Sequence, residues 1–170
     1  AGGVEVLMKQ LDTLCAQLDS QLAPTAPARR ASLQQGAALA RVAGGWSTAF
    51  GSQPSAVARS REIAAGLGLG GRAHGSVVLG GLAALLELPA PAVQLAFAHN
   101  ASRDVLSAAV RLNLVGPLAA VSMQSQVAAA AAAAAAASAA DGCDDAAGSS
   151  PLVDALHSCH DMLERRIFQT

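Results

Sequence analysis

The chain has 170 residues, of which 52% are hydrophobic, 14% charged and 2% aromatic, and its formal net charge is −1. This charge excludes nucleic acid as a partner, because phosphate binding requires a concentrated basic surface and base stacking requires aromatic side chains. The length is enough for one domain with its own core, and small Ala-rich side chains favour closely packed helices over a sheet. We therefore predict an all-α fold, a single-domain bundle of about six to seven helices over residues 1–170.

The cysteines and the apolar runs bear on the compartment. Cys15, Cys143 and Cys159 are odd in number and irregularly spaced, which predicts free thiols in a reducing, cytoplasmic environment. We expect no leader at the start of the chain. We also expect no transmembrane helix, because no apolar run has both the length and the bulk of one and alanine is barely hydrophobic enough to insert. Because the chain begins without methionine, we expect a fragment or a processed form.

The first half of the chain predicts three helices. An apolar stripe at three- and four-residue steps indicates a first helix that ends before the Pro24–Pro27 turn. Ser32 and Gln35 have the spacing of a capping box and predict the start of a second helix. Its small residues would let another helix approach closely, and Trp46 and Phe50 extend a second apolar side. Pro54 fits the first turn of a third helix. The residues that define these patterns are Val4, Leu7, Leu11, Leu14 and Leu18 in the first helix, Gly36, Ala37, Ala40, Ala43 and Gly44 in the second, and Ile63 and Leu67 in the third.

The second half predicts three or four more helices. Ser76–Leu88 is uniformly apolar and should be a buried helix, and after Pro89 and Pro91 the next helix runs from Ala92 into Arg103–Pro117. Pro117 then starts a helix that continues through the alanine run Ala128–Ala137, for which alanine has the highest propensity. We interpret this run, with the loop up to residue 150, as an expanded low-complexity segment that faces solvent. Pro151 begins a last helix, predicted over Leu152–Phe168.

The stretch Arg103–Pro117 combines charge, helical apolar periodicity and a stop signal in one short window. Arg103 and Arg111 are two helical turns apart and project from roughly the same face. Gly116 is expected to supply a left-handed turn, and Pro117 cannot continue the helix. Asp104 has no basic residue at helical spacing after it. The two arginines could serve an interface or an internal salt bridge, and spacing alone does not separate these alternatives.

No residue pattern predicts catalysis. The glycine-rich segment 66–72 lacks the Lys-Ser/Thr ending of a phosphate-binding loop, so we interpret it as a linker. His74 and His99 are expected to be structural histidines with satisfied hydrogen bonds. His157, Cys159, His160 and Asp161 form the one cluster of possible metal ligands, but a closed site normally needs about four ligands and no second pair accompanies them. We therefore favour a hydrogen-bonding helix face over a metal site.

The sequence resembles the family of the urease accessory protein UreF. The resemblance is strongest over Arg103–Leu118 and continues through Val121–Val127. Arg29–Ala43 is similar to the family's helix with a Gln-Gly pair, and Ala73–Gly80 to its histidine segment, which aligns His74 with the family histidine. The ending, Pro151–Gln169, is similar to the family's C-terminus, with its recurring His, Arg and Phe at His160, Arg166 and Phe168.

The resemblance implies an all-α protein that is not an enzyme and needs no cofactor. It implies a homodimer that binds the accessory protein UreD (UreH in some bacteria), and with it recruits the nickel-carrying GTPase UreG to apo-urease. It also implies that the protein modulates GTP hydrolysis, and no membrane partner is expected. The chain departs from the family pattern by lacking an N-terminal segment, by its alanine run and by the residues around Gln126.

Under this resemblance the interface becomes the preferred role of the arginines, and the C-terminal residues are predicted to dock on UreD. The rival hypothesis is a metallochaperone that carries nickel on His157, Cys159 and His160. The predicted partner-binding residues are Arg103, Arg111, Asn113, Gly116, Pro117, His160, Arg166 and Phe168.

Overall fold

The computed structural model describes residues 2–45, 58, 65–66, 72–146 and 150–164. These residues form α-helices joined by short turns and 3-10 segments, with no strand among them, which confirms the predicted all-α fold. The predicted third helix, with Pro54, Ile63 and Leu67, lies outside the described residues, as do Trp46 and Phe50. The helices are α1 (Gly2–Leu22), α2 (Ala26–Gly44), α3 (Gly75–Leu85), α4 (Ala90–Arg111), α5 (Pro117–Ala137) and α6 (Pro151–Ser158).

The contacts divide the chain into two compact units. Unit 1 comprises Ala1–Glu87 and Gly148–Thr170, and unit 2 comprises Leu88–Ala147. Unit 1 therefore contains α1, α2, α3 and α6, whereas unit 2 contains α4 and α5.

The core of unit 1 is formed by α1, α2 and α3, together with Ala73, which lies just before α3. Its side chains are apolar and mostly small, as the composition predicted, and partly buried leucines and a methionine pack around them. The small-residue side predicted for α2 is confirmed at Gly36, Ala40 and Ala43, whereas Ala37 and Gly44 are exposed. The buried core residues are Leu11, Cys15, Ala40, Ala43, Ala73, Val78 and Leu82.

Gly36 explains why α2 needs a glycine at this point. A Cβ atom on Gly36 would lie 1.6 Å from the carbonyl oxygen of Ala73 and 2.9 Å from the carbonyl carbon of His74. Both atoms belong to the backbone, so neither can move aside as a flexible side chain would. The absence of a side chain at Gly36 is therefore what lets the backbone before α3 rest on α2.

Three boundaries in unit 1 differ from the predictions. The capping box at Ser32 is wrong, because α2 already begins at Ala26 with Pro27 in its first turn, where a missing N–H costs nothing. Helix α3 ends at Leu85, and Glu87 then adopts a left-handed φ of 55°. The last helix also ends early, at Ser158, and continues as a 3-10 segment over Cys159–Met162.

Unit 2 is a helical hairpin of α4 and α5, which pack against each other. In the described part of this unit Ala135 is the one buried hydrophobic residue. The predicted helix through the alanine run is confirmed, and the run is exposed except at Ala131 and Ala135. Pro117–Ala140 is also long and apolar enough to qualify as a membrane span by length and composition, with a mean hydropathy of 1.3. This differs from our expectation of no such run, although its alanines contribute little to insertion.

Candidate partner-binding surface

The turn between α4 and α5 fixes the end of the Arg103–Pro117 stretch. Asn113 has a left-handed φ of 56°, its N–H donates to the Val110 carbonyl at 3.0 Å, and the Leu114 N–H donates to the Ala109 carbonyl at 2.9 Å. This pair of bonds is the Schellman arrangement, which satisfies carbonyls at a helix end. We predicted Gly116 in the left-handed role, and that was wrong: Gly116 has an extended conformation, with φ −73° and ψ 152°, and directly precedes Pro117. Asparagine can take the left-handed role because it tolerates this conformation better than most residues.

Arg103 and Arg111 both extend from α4 into solvent. Arg103 Nη2 donates to Asp104 Oδ1 at 3.1 Å, and these side chains are 64% and 60% exposed. The partner of Asp104 is thus its neighbour in sequence rather than a residue at helical spacing. Arg111 Nη2 donates to Ser107 Oγ at 3.2 Å, one turn earlier. Such exposed local contacts are worth under about 1 kcal/mol, and both arginines are exposed.

Large apolar side chains lie exposed close to these arginines in the chain. The apolar side of α4 does not lie in a core, because Val105 is 70% exposed and no residue of α4 is buried. The reason is that α5 is the one described helix that contacts α4 extensively, and it covers a single stripe of its surface. Exposed apolar side chains next to arginine are typical of protein interfaces. Others that are at least two-thirds exposed in this unit are Leu114, Leu118 and Val121.

Polar contacts of the Gln124 side chain connect α5 to α4. Gln124 Nε2 of α5 donates to Ser102 Oγ at 3.0 Å and lies 3.3 Å from His99 Nδ1, both on α4. Gln124 belongs to the Val121–Val127 segment, but its sequence gives no signal that it reaches α4. His99 is exposed, and its Nδ1 has this contact with Gln124.

A groove of about 510 Å³ opens farther along the same hairpin. Its walls are almost entirely apolar because the alanine run places small side chains opposite α4. His99 and Asn100 supply the polar groups of its lining. The lining residues are Ala92, Leu95, Ala96, His99, Asn100, Ala128, Ala131 and Ala132.

Unit 1 contains a polar network around the buried His74, and of its members sequence analysis singled out His74 as a structural residue. Arg29 binds Asp19 through two hydrogen bonds, from Nε at 2.8 Å and from Nη2 at 3.1 Å. His74 has no exposed surface, and its Nε2 lies 3.2 Å from Asp19 Oδ1 while its Nδ1 lies 3.0 Å from Ser32 Oγ. In a neutral imidazole, Nε2–H then donates to Asp19 and Nδ1 accepts from the Ser32 hydroxyl. The prediction of a satisfied structural histidine is confirmed.

The electrostatics of this network favour a fixed charge pair. The hydrogen bonds from Arg29 lower the pKa of the Asp19 carboxyl, and Asp19 in turn raises the pKa of Arg29. Burial raises the pKa of the nearby Cys15 thiol, so this cysteine remains protonated. The residue types are those of a hydrolytic triad, but the His74 ring has no exposed surface and both of its nitrogens have partners within the network. The network joins α1, α2 and the start of α3.

The cluster at the C-terminal end does not assemble as a metal site. No group of three or more His, Cys, Asp or Glu side chains among the described residues could hold a metal ion. The helix tightens into a 3-10 turn at Cys159, and Asp161 binds Arg30 instead. Among the described residues, His157, Cys159 and His160 are therefore not brought together as a three-ligand site, and nickel carriage on them stays a prediction. His160 is partly buried in unit 1, and the other predicted C-terminal residues, Arg166 and Phe168, lie outside the described residues.

Comparison with known proteins connects these features to a family. The UreF family model matches residues 7–128. The chain is 35% identical over 145 residues to the urease accessory protein F of Oryza sativa subsp. indica, which covers 84% of this chain and 52% of that protein. It is 32% identical over 142 residues to the urease accessory protein F of Arabidopsis thaliana, covering 82% and 56% respectively. The chain thus spans about half the length of these relatives, and no solved structure matches it significantly.

The family match runs from α1 into the start of the alanine run and includes both the polar network and the turn after Arg111. The chain belongs to the UreF family of urease accessory proteins.

Proposed function

We propose that the protein is a non-catalytic scaffold for insertion of nickel into apo-urease. In this role it binds UreD (UreH in some bacteria), recruits the GTPase UreG and modulates GTP hydrolysis by UreG. Membership of the urease accessory family carries the proposal. We further propose that it acts in the cytoplasm and as a homodimer, without a cofactor of its own.

The exposed face of unit 2 supports a role in binding rather than catalysis. Arg111 lies directly before a turn with a fixed conformation, because the N–H groups of Asn113 and Leu114 each donate one backbone hydrogen bond that closes α4. Leu114 and Leu118 follow, at 73% and 88% exposure. An arginine beside exposed leucines provides both a directional charged contact and apolar area, the combination found at interface hot spots.

The test compares Arg111→Ala with Arg41→Ala, an exposed arginine on α2 of unit 1. We expect Arg111→Ala to weaken binding to a UreD–UreG mixture by about 2 kcal/mol, roughly thirtyfold in affinity. Thermal unfolding should change little, because the guanidinium is exposed and alanine favours helix. The Arg41→Ala control should bind normally.

Two results would contradict this assignment. A large fall in melting temperature of Arg111→Ala would make Arg111 a residue that braces the fold. Unchanged affinity with unchanged stability would remove Arg111 from the interface. If the parent chain does not associate with UreD or UreG, the scaffold proposal itself is wrong.

A further inference from the structure

The groove of unit 2 follows one face of each helix in the hairpin. Its lining residues recur at three- and four-residue steps on both α4 and α5, the spacing at which helical residues share a face. The volume of about 510 Å³ lies within the range of small-molecule binding sites. Leu95, the largest apolar side chain of the lining, is 45% exposed, and the alanines are too short to fill the space. The groove can therefore accept an apolar molecule.

Hydrogen-bond donors gather at the end of the groove nearer the turn, which we call the donor end and which comprises His99, Asn100 and Arg103. Gln124 Nε2 lies 3.3 Å from His99 Nδ1, and with Nδ1 as the acceptor a neutral imidazole carries its proton on Nε2. The side-chain amide of Asn100 supplies further N–H donors. Arg103 follows one turn later on the same face of α4, and guanidinium N–H groups match the geometry of a carboxylate. The donor end is thus suited to an anionic head group.

Charged residues near the two ends of the groove favour the same orientation. Toward the turn, Arg103 and Arg111 outnumber Asp104. The contact between Arg103 and Asp104 is local and exposed, so a ligand can compete for the guanidinium. Beyond the other end, α5 passes into a segment with three exposed aspartates. They are Asp141, Asp144 and Asp145. An anion is therefore attracted to the donor end and repelled at the other end.

The length of the groove limits the apolar part of its ligand. From Ala92 to Asn100 the groove follows roughly 12 Å of the axis of α4. An extended chain of about ten carbons, with bonds of about 1.5 Å, has this length. The walls along it are almost entirely apolar, so such a chain needs a polar group only at the donor end.

We propose that the groove between α4 and α5 is a binding site for a linear medium-chain carboxylic acid. The carboxylate accepts hydrogen bonds at the donor end, from Asn100 and Arg103, and the alkyl chain lies along the alanines of both helices. This inference goes beyond the proposed function and does not depend on it, because the isolated chain is enough to test it.

The first test is calorimetric titration of the full chain with hexanoate, octanoate, decanoate, dodecanoate and tetradecanoate, each below the concentration at which it aggregates. We expect saturable binding at one site per chain. The affinity should rise about two- to fourfold for each added CH₂ group as far as decanoate and then level off, because longer chains extend beyond the groove. An affinity that keeps rising to tetradecanoate would indicate partition onto exposed apolar surface and would overturn the proposal.

Two neighbouring alanines of α5 provide a matched pair of variants. Ala132 lines the groove and Ala133 does not, and both are exposed. Ala132→Leu should weaken decanoate binding about tenfold or more, because the leucine side chain takes the place of several CH₂ groups of the ligand. Ala133→Leu should bind decanoate as the parent chain does. Both variants should stay folded, since leucine is a good helix former, and thermal unfolding checks this. Equal affinities of the two variants would overturn the proposal.

Decanol, which has the same chain without the charge, tests the head group. It should bind the parent chain more weakly than decanoate. Arg103→Gln should weaken decanoate binding about two- to fivefold, the factor that an exposed ion pair allows, and should leave decanol binding unchanged. Equal effects on both ligands would overturn the assignment of the carboxylate to the donor end.

Sedimentation velocity of the ligand-free variants tests a second copy of the chain as the occupant of the groove. We expect Ala132→Leu and Ala133→Leu to sediment as the parent chain does. A parent dimer that Ala132→Leu dissociates, together with no heat of decanoate binding, would assign the groove to a second copy and overturn the proposal.

Discussion

Units 1 and 2 are both helical, yet they use their apolar residues in opposite ways. Unit 1 buries Leu11, Val78 and Leu82 around a fully enclosed histidine. In the described part of unit 2, Ala135 alone among the hydrophobic residues is buried, while Leu118 is 88% exposed. Helical apolar periodicity alone therefore does not identify a core. In a hairpin of two helices, each helix covers only the side of the other that faces it, and the remaining apolar side chains stay exposed. The other large apolar side chains of the described part of unit 2 are partly or largely exposed.

Alanine substitution of two glycines in α2, one at a time, tests the packing of unit 1 most directly. Gly36→Ala should destabilise the protein by about 3 kcal/mol or more, because its Cβ would overlap the Ala73 carbonyl. In a chain of this size that lowers the melting temperature by roughly 2–4 °C per kcal/mol. Gly44→Ala has nothing within 4 Å of its Cβ and should be neutral or stabilising by up to about 1 kcal/mol. Equal melting temperatures for both variants would show that α2 and α3 do not meet as described.

Alanine substitution of one leucine in each unit compares the two units directly. Leu82→Ala removes a side chain that is 4% exposed and should cost about 2.5 kcal/mol, toward the low end for a core leucine because flexible neighbours can close the gap. Leu118→Ala should change stability by under about 0.5 kcal/mol. Urea unfolding of the two variants measures both effects. A Leu118→Ala variant as unstable as Leu82→Ala would mean that unit 2 buries this leucine in solution, and the comparison would fail.

The polar network predicts a smaller, pH-dependent effect confined to unit 1. The pKa of Asp19 is lowered in the folded state, so its stabilising contribution is complete above the ordinary pKa near 3.8 and is lost as pH falls through the folded value. Asp19→Asn should therefore lose stability at neutral pH and show a shallower decline below pH 4. Urea unfolding between pH 6 and pH 2.5 measures the two slopes, with the exposed Asp12→Asn variant as the control. Parallel slopes for Asp19→Asn and the parent chain would exclude this role for Asp19.

Several predictions from sequence failed, either because another local signal acted a few residues earlier or because the side chain has a partner far away in sequence. Ser32 has the spacing of a helix cap, but Pro27 starts α2 earlier and the Ser32 hydroxyl binds His74 instead. Glycine is the usual residue in a left-handed turn, which is why Gly116 was predicted there. Helix α4 ends at Arg111, so the left-handed position falls at Asn113, three residues before Gly116. Asp161 was grouped with potential metal ligands, but Arg30 is its partner. No local pattern could have identified partners that are 42 and 131 positions apart.

The sequence by itself determined the all-α class, the approximate course of α1, α4 and α5, and the prolines that begin or separate helices. These are local properties, since they depend on helix propensity, apolar spacing and the missing N–H of proline within a few residues. The resemblance to the UreF family was also recognisable from the sequence, in Arg103–Leu118 and the other matching segments. Tertiary structure alone decided which apolar sides are buried and how Asp19, Arg29, Ser32 and His74 meet. Those outcomes depend on which helices come together in space, and periodicity along a single helix carries no information about its neighbour.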